Sequence, residues 1–498
     1  MTLAATTRAP APIAAEAATE GCNVVAGATT PSGLDRSSCQ GPSASRIVAS
    51  RDDSPAYGTN APRAESCETA TVTAPPSLGA GSLGIAFRVA ALGLATVLGF
   101  VLARWLGPAE LGRYETAMGW SALLAVLIVA GTDRLLVRET AAGIARGDHA
   151  RVHGVRAWSA LRHRNGTFLA IGAAGVAAAF AGDTSSASLV VFGAILAAGT
   201  AGTRRRAAIL QGHGRVGASQ FVELVLVPGL ALVAIAGVML AGAGSRQAAA
   251  ALACQAFAAV TASFVARAWL VRNESDDRVH ATADGEPGAW RAASFALLAM
   301  GVLSVLQGKA DIVLCAALTG DAELGRLGVA TRIGNLVAVP LLVANAVIAP
   351  QLARAHAQGD TAGLARIAVG SARAATGFAA VLAAGALLFA DPLLALFGSG
   401  YGEARSALFA VVVAQFVNVA MGSVGLALLM TGHERSALVG LIAGALVDLS
   451  GIVWLVPQYG AFGAALARGA GLVVWNVLLA VAVRRRLGVA LEAWAVIR

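Results

Sequence analysis

Ala109-Glu110-Leu111-Gly112-Arg113 recurs 213 residues later as Ala322-Glu323-Leu324-Gly325-Arg326, and each copy follows an apolar stretch long enough to cross a membrane. A second pair, Ala145-Arg146-Gly147-Asp148 and Ala357-Gln358-Gly359-Asp360, repeats at 212 residues. One five-residue identity arises easily by chance in so alanine-rich a chain. Two matches in register, each at the same point of the hydropathy pattern, point to a duplication.

A hydrocarbon core about 30 Å thick needs roughly 20 apolar residues per helix. Working outward from the repeat, such stretches lie near 83–103, 114–132, 167–182, 186–203, 218–242, 247–270, 292–318, 325–349, 367–389, 405–430, 436–456 and 461–483. The two motif copies follow the first and seventh, so spans one to six and seven to twelve form equivalent lobes. Six is even, so both lobes enter the membrane from the same side and are parallel repeats around an axis along the membrane normal. The expected fold is an all-α polytopic membrane protein with about twelve transmembrane helices in two six-helix lobes, 79–272 and 291–498, the second ending in a short tail. A polar linker, 273–290, containing Glu274, Asp276, Asp277 and Pro287, joins them.

The net charge of +9 follows the same plan. With both termini in the cytoplasm, 23 arginines fall on inner loops and the C-terminal tail, and only Arg104, Arg113, Arg246, Arg326 and Arg405 fall on outer loops. That is a strong positive-inside bias, and the charge then describes topology and inner-leaflet contact, with no need of a nucleic-acid partner. At 57% hydrophobic, a soluble reading would require one core with hardly any solvated face. The segment Arg134 to Arg164 carries seven arginines among spaced apolar residues; it suits either a helix lying on the anionic inner leaflet or a solvated loop.

Residues 1–78 are rich in Ala, Thr, Ser, Pro and Gly and lack a signal-peptide core. They read as a disordered extension, or as residues ahead of the true start. Cys22, Cys39 and Cys67 lie there, Cys254 and Cys315 lie within spans, and no CxxC or His/Cys cluster occurs, so neither a disulfide framework nor a metal site is expected. No Walker A sequence or dinucleotide-binding pattern is present, and no cofactor is expected.

Several further motifs carry a resemblance. Val101-Leu102-Ala103-Arg104-Trp105-Leu106-Gly107-Pro108 followed by Leu111-Gly112-Arg113-Tyr114 resembles the first-loop motif of bacterial O-antigen and exopolysaccharide flippases. These share a superfamily with the multidrug and toxin extruders and the lipid II flippase. In the second half, Asp311, Pro350, Phe397-Gly398, Tyr401, Thr431-Gly432, Pro457-Gln458-Tyr459-Gly460 and Gly463-Ala464-Ala465 agree, so the similarity covers roughly residues 80–485. The two extra C-terminal helices of the lipid II branch are missing. The resemblance implies a non-enzymatic flippase in the bacterial inner membrane, with two lobes around a cavity that opens alternately to each side. It would turn over undecaprenyl-pyrophosphate-linked oligosaccharides for surface polysaccharide synthesis. The implied partners are that lipid-linked glycan, membrane lipids, a polysaccharide polymerase and a chain-length regulator.

Ionisable residues inside spans are the candidate site residues, because each costs a few kcal/mol (about 3) at mid-membrane unless paired or wetted. They are Arg88, Glu223, Lys309, Asp311, Arg332, Asp448 and Arg468. Lys309, the only lysine in the chain, either faces a cavity or snorkels outward. Asp311 and Arg332 are equidistant from Asp321, and Asp448 and Arg468 from Gln458, so each couple is expected either to bridge an antiparallel hairpin or to face the cavity. The family usually carries Asn and a small residue near 448 and 468, so that pair departs from its pattern. Because spans one and seven line the cavity in the resembled family, Arg88 and Lys309 become anion-binding candidates, with Asp311 and Arg332 beside them. Glu223, Asp448 and Arg468 are structural or coupling candidates. Gln307, Asn335, Asn345, Gln415 and Asn418 either bond sugar hydroxyls or bridge helices.

Two rival functions remain open. A multidrug extruder would present carboxylates and aromatics to its cavity, whereas aromatics here are only 5% of the chain. A membrane-embedded enzyme of polysaccharide assembly would carry a long outer loop with acidic residues, and no outer loop here is long.

Overall fold

The computed structural model describes residues 78–242, 246–273 and 287–496. The expected extension 1–78 lies outside those residues except for Leu78, and of the expected linker 273–290 the two ends, Asn273 and 287–290, belong to the flanking helices while the rest lies outside the described residues. Among the described residues the chain is helical throughout.

In the first half, α1 (Leu78–Val129), α2 (Thr132–Arg146), α3 (His149–Ala179), α4 (Thr184–Gly212), α5 (Val216–Gln220), α6 (Val227–Leu240) and α7 (Ala248–Asn273) follow one another. In the second half come α8 (Pro287–Leu318), α9 (Asp321–Asn335), α10 (Val339–Ala357), α11 (Thr361–Leu388), α12 (Ala390–Phe397), α13 (Arg405–Ala420), α14 (Val424–Met430) and α15 (Glu434–Leu487). Among the described residues, eight segments are long and apolar enough to cross a membrane. Two of them are double: α1 bends at Gly107 (φ 77°) and α15 at Gly460 (φ 52°), conformations that favour glycine, so each supplies two limbs. With α3 and α8 this makes twelve crossings in two lobes of six.

Breaks inside spans have local causes. Pro228 has no N–H to offer the carbonyl four residues back, and a π-helical turn, Phe221–Leu226, precedes it. A 3₁₀ turn, Leu336–Ala338, precedes Pro340 in the same way. Gly422, at φ 73°, separates α13 from α14 in the tenth span. One expectation is corrected here. Residues 134–164 are neither one surface helix nor a loop, because Gly147 (φ 68°) ends α2 and the 31-residue α3 starts at His149, well before the expected third span.

The repeat is visible atom by atom. Gly147 and Gly359 take the same left-handed conformation (φ 68° and 70°), and the next residue, Asp148 or Asp360, caps the following helix by accepting from Arg151 N–H at 2.9 Å or Gly363 N–H at 2.7 Å. Glu110 Oε2 accepts from Ala248 N–H at 2.7 Å, and Glu323 Oε2 accepts from Ala461 N–H at 2.9 Å. Both partners sit at the first turn of the sixth helix of their lobe, where the exposed N–H groups favour a carboxylate. Helix packing relies on small residues. Gly199 and Gly202 of α4 lie against Ala259, Val260 and Ser263 of α7, letting the backbones approach closely. Large apolar side chains such as Phe180, Leu240, Phe378 and Leu388 remain exposed, as lipid-facing positions require.

Candidate functional site at the lobe interface

The lobes meet through contacts that swap under the repeat. A Cβ on Gly112 would overlap the Asp321 carbonyl oxygen, and one on Gly325, its repeat equivalent, would overlap the Pro108 carbonyl oxygen, itself equivalent to Asp321. Contacts of this kind, in which i meets j and the equivalent of j meets the equivalent of i, define a two-fold relation. Arg113 Nε donates to Asp321 Oδ2 at 2.9 Å, Arg104 Nη1 to the Leu396 carbonyl at 3.0 Å and the buried Tyr401 hydroxyl to the Ala103 carbonyl at 3.1 Å, all at this end of the molecule. Farther along, the second limb of α1 runs antiparallel to α8, with Gly119 on Ile312 and Val313, Val126 on Gly301 and Gly131 on Ser294.

An ion pair sits on the axis. Arg332 of α9 pairs across the interface with Glu115 on the second limb of α1. Glu115 lies against Gly328, its own repeat equivalent, so the pseudo-two-fold axis passes beside this carboxylate. Two glycines make the crossing possible: Gly99 faces Arg332 Nε and Cδ, and Gly328 leaves room for Glu115 and Arg332 Nη1. Nη2 is taken by Glu115, while Nη1 is buried without a hydrogen-bond partner. A cavity of about 210 Å³ opens beside the pair, walled by Glu115, Ile312, Gly328, Thr331, Arg332 and Arg468 among others. On its other side Arg332 borders a second, apolar cavity of about 420 Å³ that includes Leu336, Val337, Val381 and Phe397. Buried Tyr114, next to Glu115, accepts at its hydroxyl from Gln255 at 2.9 Å. A half-buried guanidinium with one free edge, facing a cavity between two lobes, can hold an anion or tie the lobes together.

The sequence-expected residues divide. Arg332 reaches the interface, but its partner is Glu115 of the other lobe; the side chains of Lys309, Asp311 and Gln307 lie outside the described residues. Asp448 and Arg468 do not bridge their hairpin, which corrects the structural reading of that pair. Gly451 lies on Ala467, Gly463 on Leu455 and Gly471 on Asp448, so the turn is centred about one residue later than Gln458. The residue opposite Asp448 is then near 470, and Arg468, two residues and about 200° away, faces the inter-lobe cavity. Asp448 Oδ1 is buried with no hydrogen-bond partner. Arg88 is exposed on the first limb of α1 and lines neither inter-lobe cavity. Glu223 lies exposed on the π-helical turn, within electrostatic reach of Arg204. The amides bridge helices: Gln415 Nε2 donates to Asn335 Oδ1 at 2.7 Å, Asn476 Nδ2 to Asn418 Oδ1 at 2.9 Å, and Ser423 to Asn345.

Glu115 was missing from the expected site. It lies two residues beyond Arg113, just inside the second expected span, 114–132. Its signal is the repeat itself, since a carboxylate in one lobe facing a glycine in the other marks an unequal position on an otherwise duplicated surface.

The architecture described above is an all-helical membrane fold of two six-helix lobes. No protein-family model matches the chain, and no curated protein does. Solved structures do match. An inward-facing multidrug resistance MATE family transporter of the MOP superfamily is similar with a TM-score of 0.65 at 18% identity, covering 82% of this chain and 98% of that one. The lipid II flippase MurJ in an inward closed conformation gives 0.62 at 11% identity, over 80% and 87%. A MOP superfamily transporter from Pyrococcus furiosus, described as having a binding pocket of reverse polarity, gives 0.54 at 16% identity, over 82% and 96%. The fold is therefore the one these MOP superfamily transporters share.

Proposed function

We propose that the protein is a flippase that moves undecaprenyl-pyrophosphate-linked oligosaccharide units across the bacterial inner membrane by alternating access, for surface polysaccharide synthesis. Both termini are in the cytoplasm under this reading, in keeping with the arginine bias of the loops. The observation that carries it is the half-buried Arg332 guanidinium on the lobe axis, its buried Nη1 unused beside a cavity. A pyrophosphate oxygen is the natural acceptor for such a donor. Deletion of the gene tests the proposal: lipid-linked repeat units should accumulate on the inner leaflet and surface glycan should disappear, with drug sensitivity unchanged. Normal glycan display together with lost cation efflux would refute it.

That second outcome belongs to a cation extruder, which one observation favours. A cavity of about 1010 Å³ between α1, α3 and α4 is mostly apolar and carries Asp183 and Asp321 beside Arg113, a polarity suited to a lipophilic cation.

A further inference from the structure

Away from the lobe interface, the first lobe holds a knot of positive charge that neither reading uses. Arg205 and Arg206 project from the end of α4, His163 from α3, and Arg206 bonds Ser263 of α7. Around Arg205 stand the like charges of Arg206, Arg156 and Arg267, and His163 faces Arg205 and Arg206. Among the described residues no carboxylate pairs with Arg205 or Arg206. Arg205 Nε and His163 Nδ1 are buried with no hydrogen-bond partner. Gly202 lets these side chains close in on the α4 backbone: the point its Cβ would occupy lies 2.5 Å from Ser263 Oγ, 2.9 Å from Arg206 Nη1 and 3.5 Å from His163 Nε2. Three polar side chains from three helices thus meet at a point where only a glycine fits.

The scaffold does not demand these charges. Ser263 has Asn476 as its repeat equivalent in the second lobe, and Asn476 is held by neutral groups, donating to Asn418 Oδ1 and to the Leu472 carbonyl, each at 2.9 Å. Two adjacent guanidiniums, Arg205 and Arg206, with no carboxylate paired to either among the described residues are costly, and unsatisfied buried donors add to that cost. A bound anion removes both.

We propose that this cluster between α3, α4 and α7 is a phosphate-binding site, occupied by the phosphodiester of an anionic membrane lipid. Large apolar side chains flank the charges, Leu161 and Phe168 on either side of His163 and Phe264 beside Ser263, and all three are exposed. They suit acyl chains running away from a headgroup held by the arginines. The site does not depend on what the inter-lobe cavity carries.

The test uses the purified full-length protein in neutral detergent, with phosphatidylglycerol, phosphatidylcholine and inorganic pyrophosphate as probes. Native mass spectrometry should show phosphatidylglycerol retained over phosphatidylcholine, and phosphatidylglycerol should raise the melting temperature. In Arg205→Gln/Arg206→Gln the preference should fall about thirtyfold, from a factor of roughly five for each arginine near an anionic headgroup. The delipidated variant should melt above delipidated wild type, because like-charge repulsion is relieved; this readout also shows that the variant folds. Arg485→Gln/Arg486→Gln, exposed on α15, should keep the preference. Equal stabilisation by pyrophosphate alone would support the phosphate chemistry with a soluble source. No stabilisation by either anion, or an equal loss in the α15 control, would overturn the site.

Discussion

Replacing Glu115 by Gln keeps its shape and removes the charge that Arg332 faces across the lobe axis. The Glu115 side chain is 12% exposed and that of Arg332 24%, so the arginine would be left mostly desolvated with one neutral acceptor. Stranding one partner of a buried pair costs about 3–5 kcal/mol, and the opening of Arg332 onto a cavity argues for the lower end, about 3 kcal/mol. Because the pair joins the lobes, that cost falls on the state in which they touch, and the ratio of closed to separated lobes should drop about a hundredfold. Spin labels at Thr184 and Gly402, exposed positions in the two lobes, would report this as a long-distance population absent from wild type. Arg332→Met alone should do likewise by stranding Glu115. The double variant should return toward wild type, giving a coupling of about 3 kcal/mol in a double-mutant cycle on thermal unfolding. If the two single effects simply add and the distance distribution is unchanged, the pair is not a latch.

Gly112→Ala and Gly325→Ala should each open the same end of the molecule at a cost of about 1–3 kcal/mol, since each Cβ meets a carbonyl oxygen of the other lobe; clearly unequal melting temperatures would contradict the two-fold closure. Asp448→Asn should leave stability unchanged or raise it, because Asp448 Oδ1 has no partner to lose, and a cycle with Arg468→Gln should show coupling below about 0.5 kcal/mol. In α2, burial alone would push the Glu139 carboxyl up, but Arg151 Nε at 2.8 Å and Arg138 Nη2 at 3.0 Å hold it below its ordinary value of 4.5. A depressed carboxylate contributes stability above its unfolded value and loses it as pH falls through the folded one. Glu139→Gln should therefore melt below wild type at pH 7, and the gap should close as the pH is lowered beneath 4.5; a gap independent of pH would show that the ion pairs do not act through charge.

The fold was legible because its two signals are coarse. Membrane-spanning length survives an error of several residues, and the repeat of Glu110 at Glu323 marks not only a duplication but the same capping contact in both lobes. The site was harder because it depends on fine register. A shift of about one residue in the α15 hairpin turns a side chain by about 100°, enough to separate Asp448 from Arg468 and send the arginine to the cavity. Nor does one lobe's sequence reveal what the other lobe brings to it: Arg332 was visible as a costly charge, yet its partner sat 217 residues away, across the axis. The helix-bridging amides were foreseen as a class, but which amide meets which depended on the same rotations.

The contacts that close the lobes are symmetric, and the charges between them are not. Gly112 and Gly325, and Glu110 and Glu323, do the same work in each half. By contrast, Arg332 answers to Gly119 at the 213-residue offset, Arg468 to Gln255, and Glu115 to Gly328. Among the described residues, both guanidiniums on the inter-lobe cavity therefore come from the second lobe, and the carboxylate comes from the first. A duplicated scaffold supplies two equivalent bodies about one axis, and under the proposed function a substrate bound on that axis would meet identical walls if the duplication were exact. Divergence at these three positions gives the cavity a direction, cationic on one wall and acidic on the other, without disturbing the glycine contacts on which closure depends. The same rule separates the two kinds of variant: substitutions at the symmetric glycines should alter how the lobes close, whereas substitutions at Glu115, Arg332 and Arg468 should also alter what the closed lobes hold.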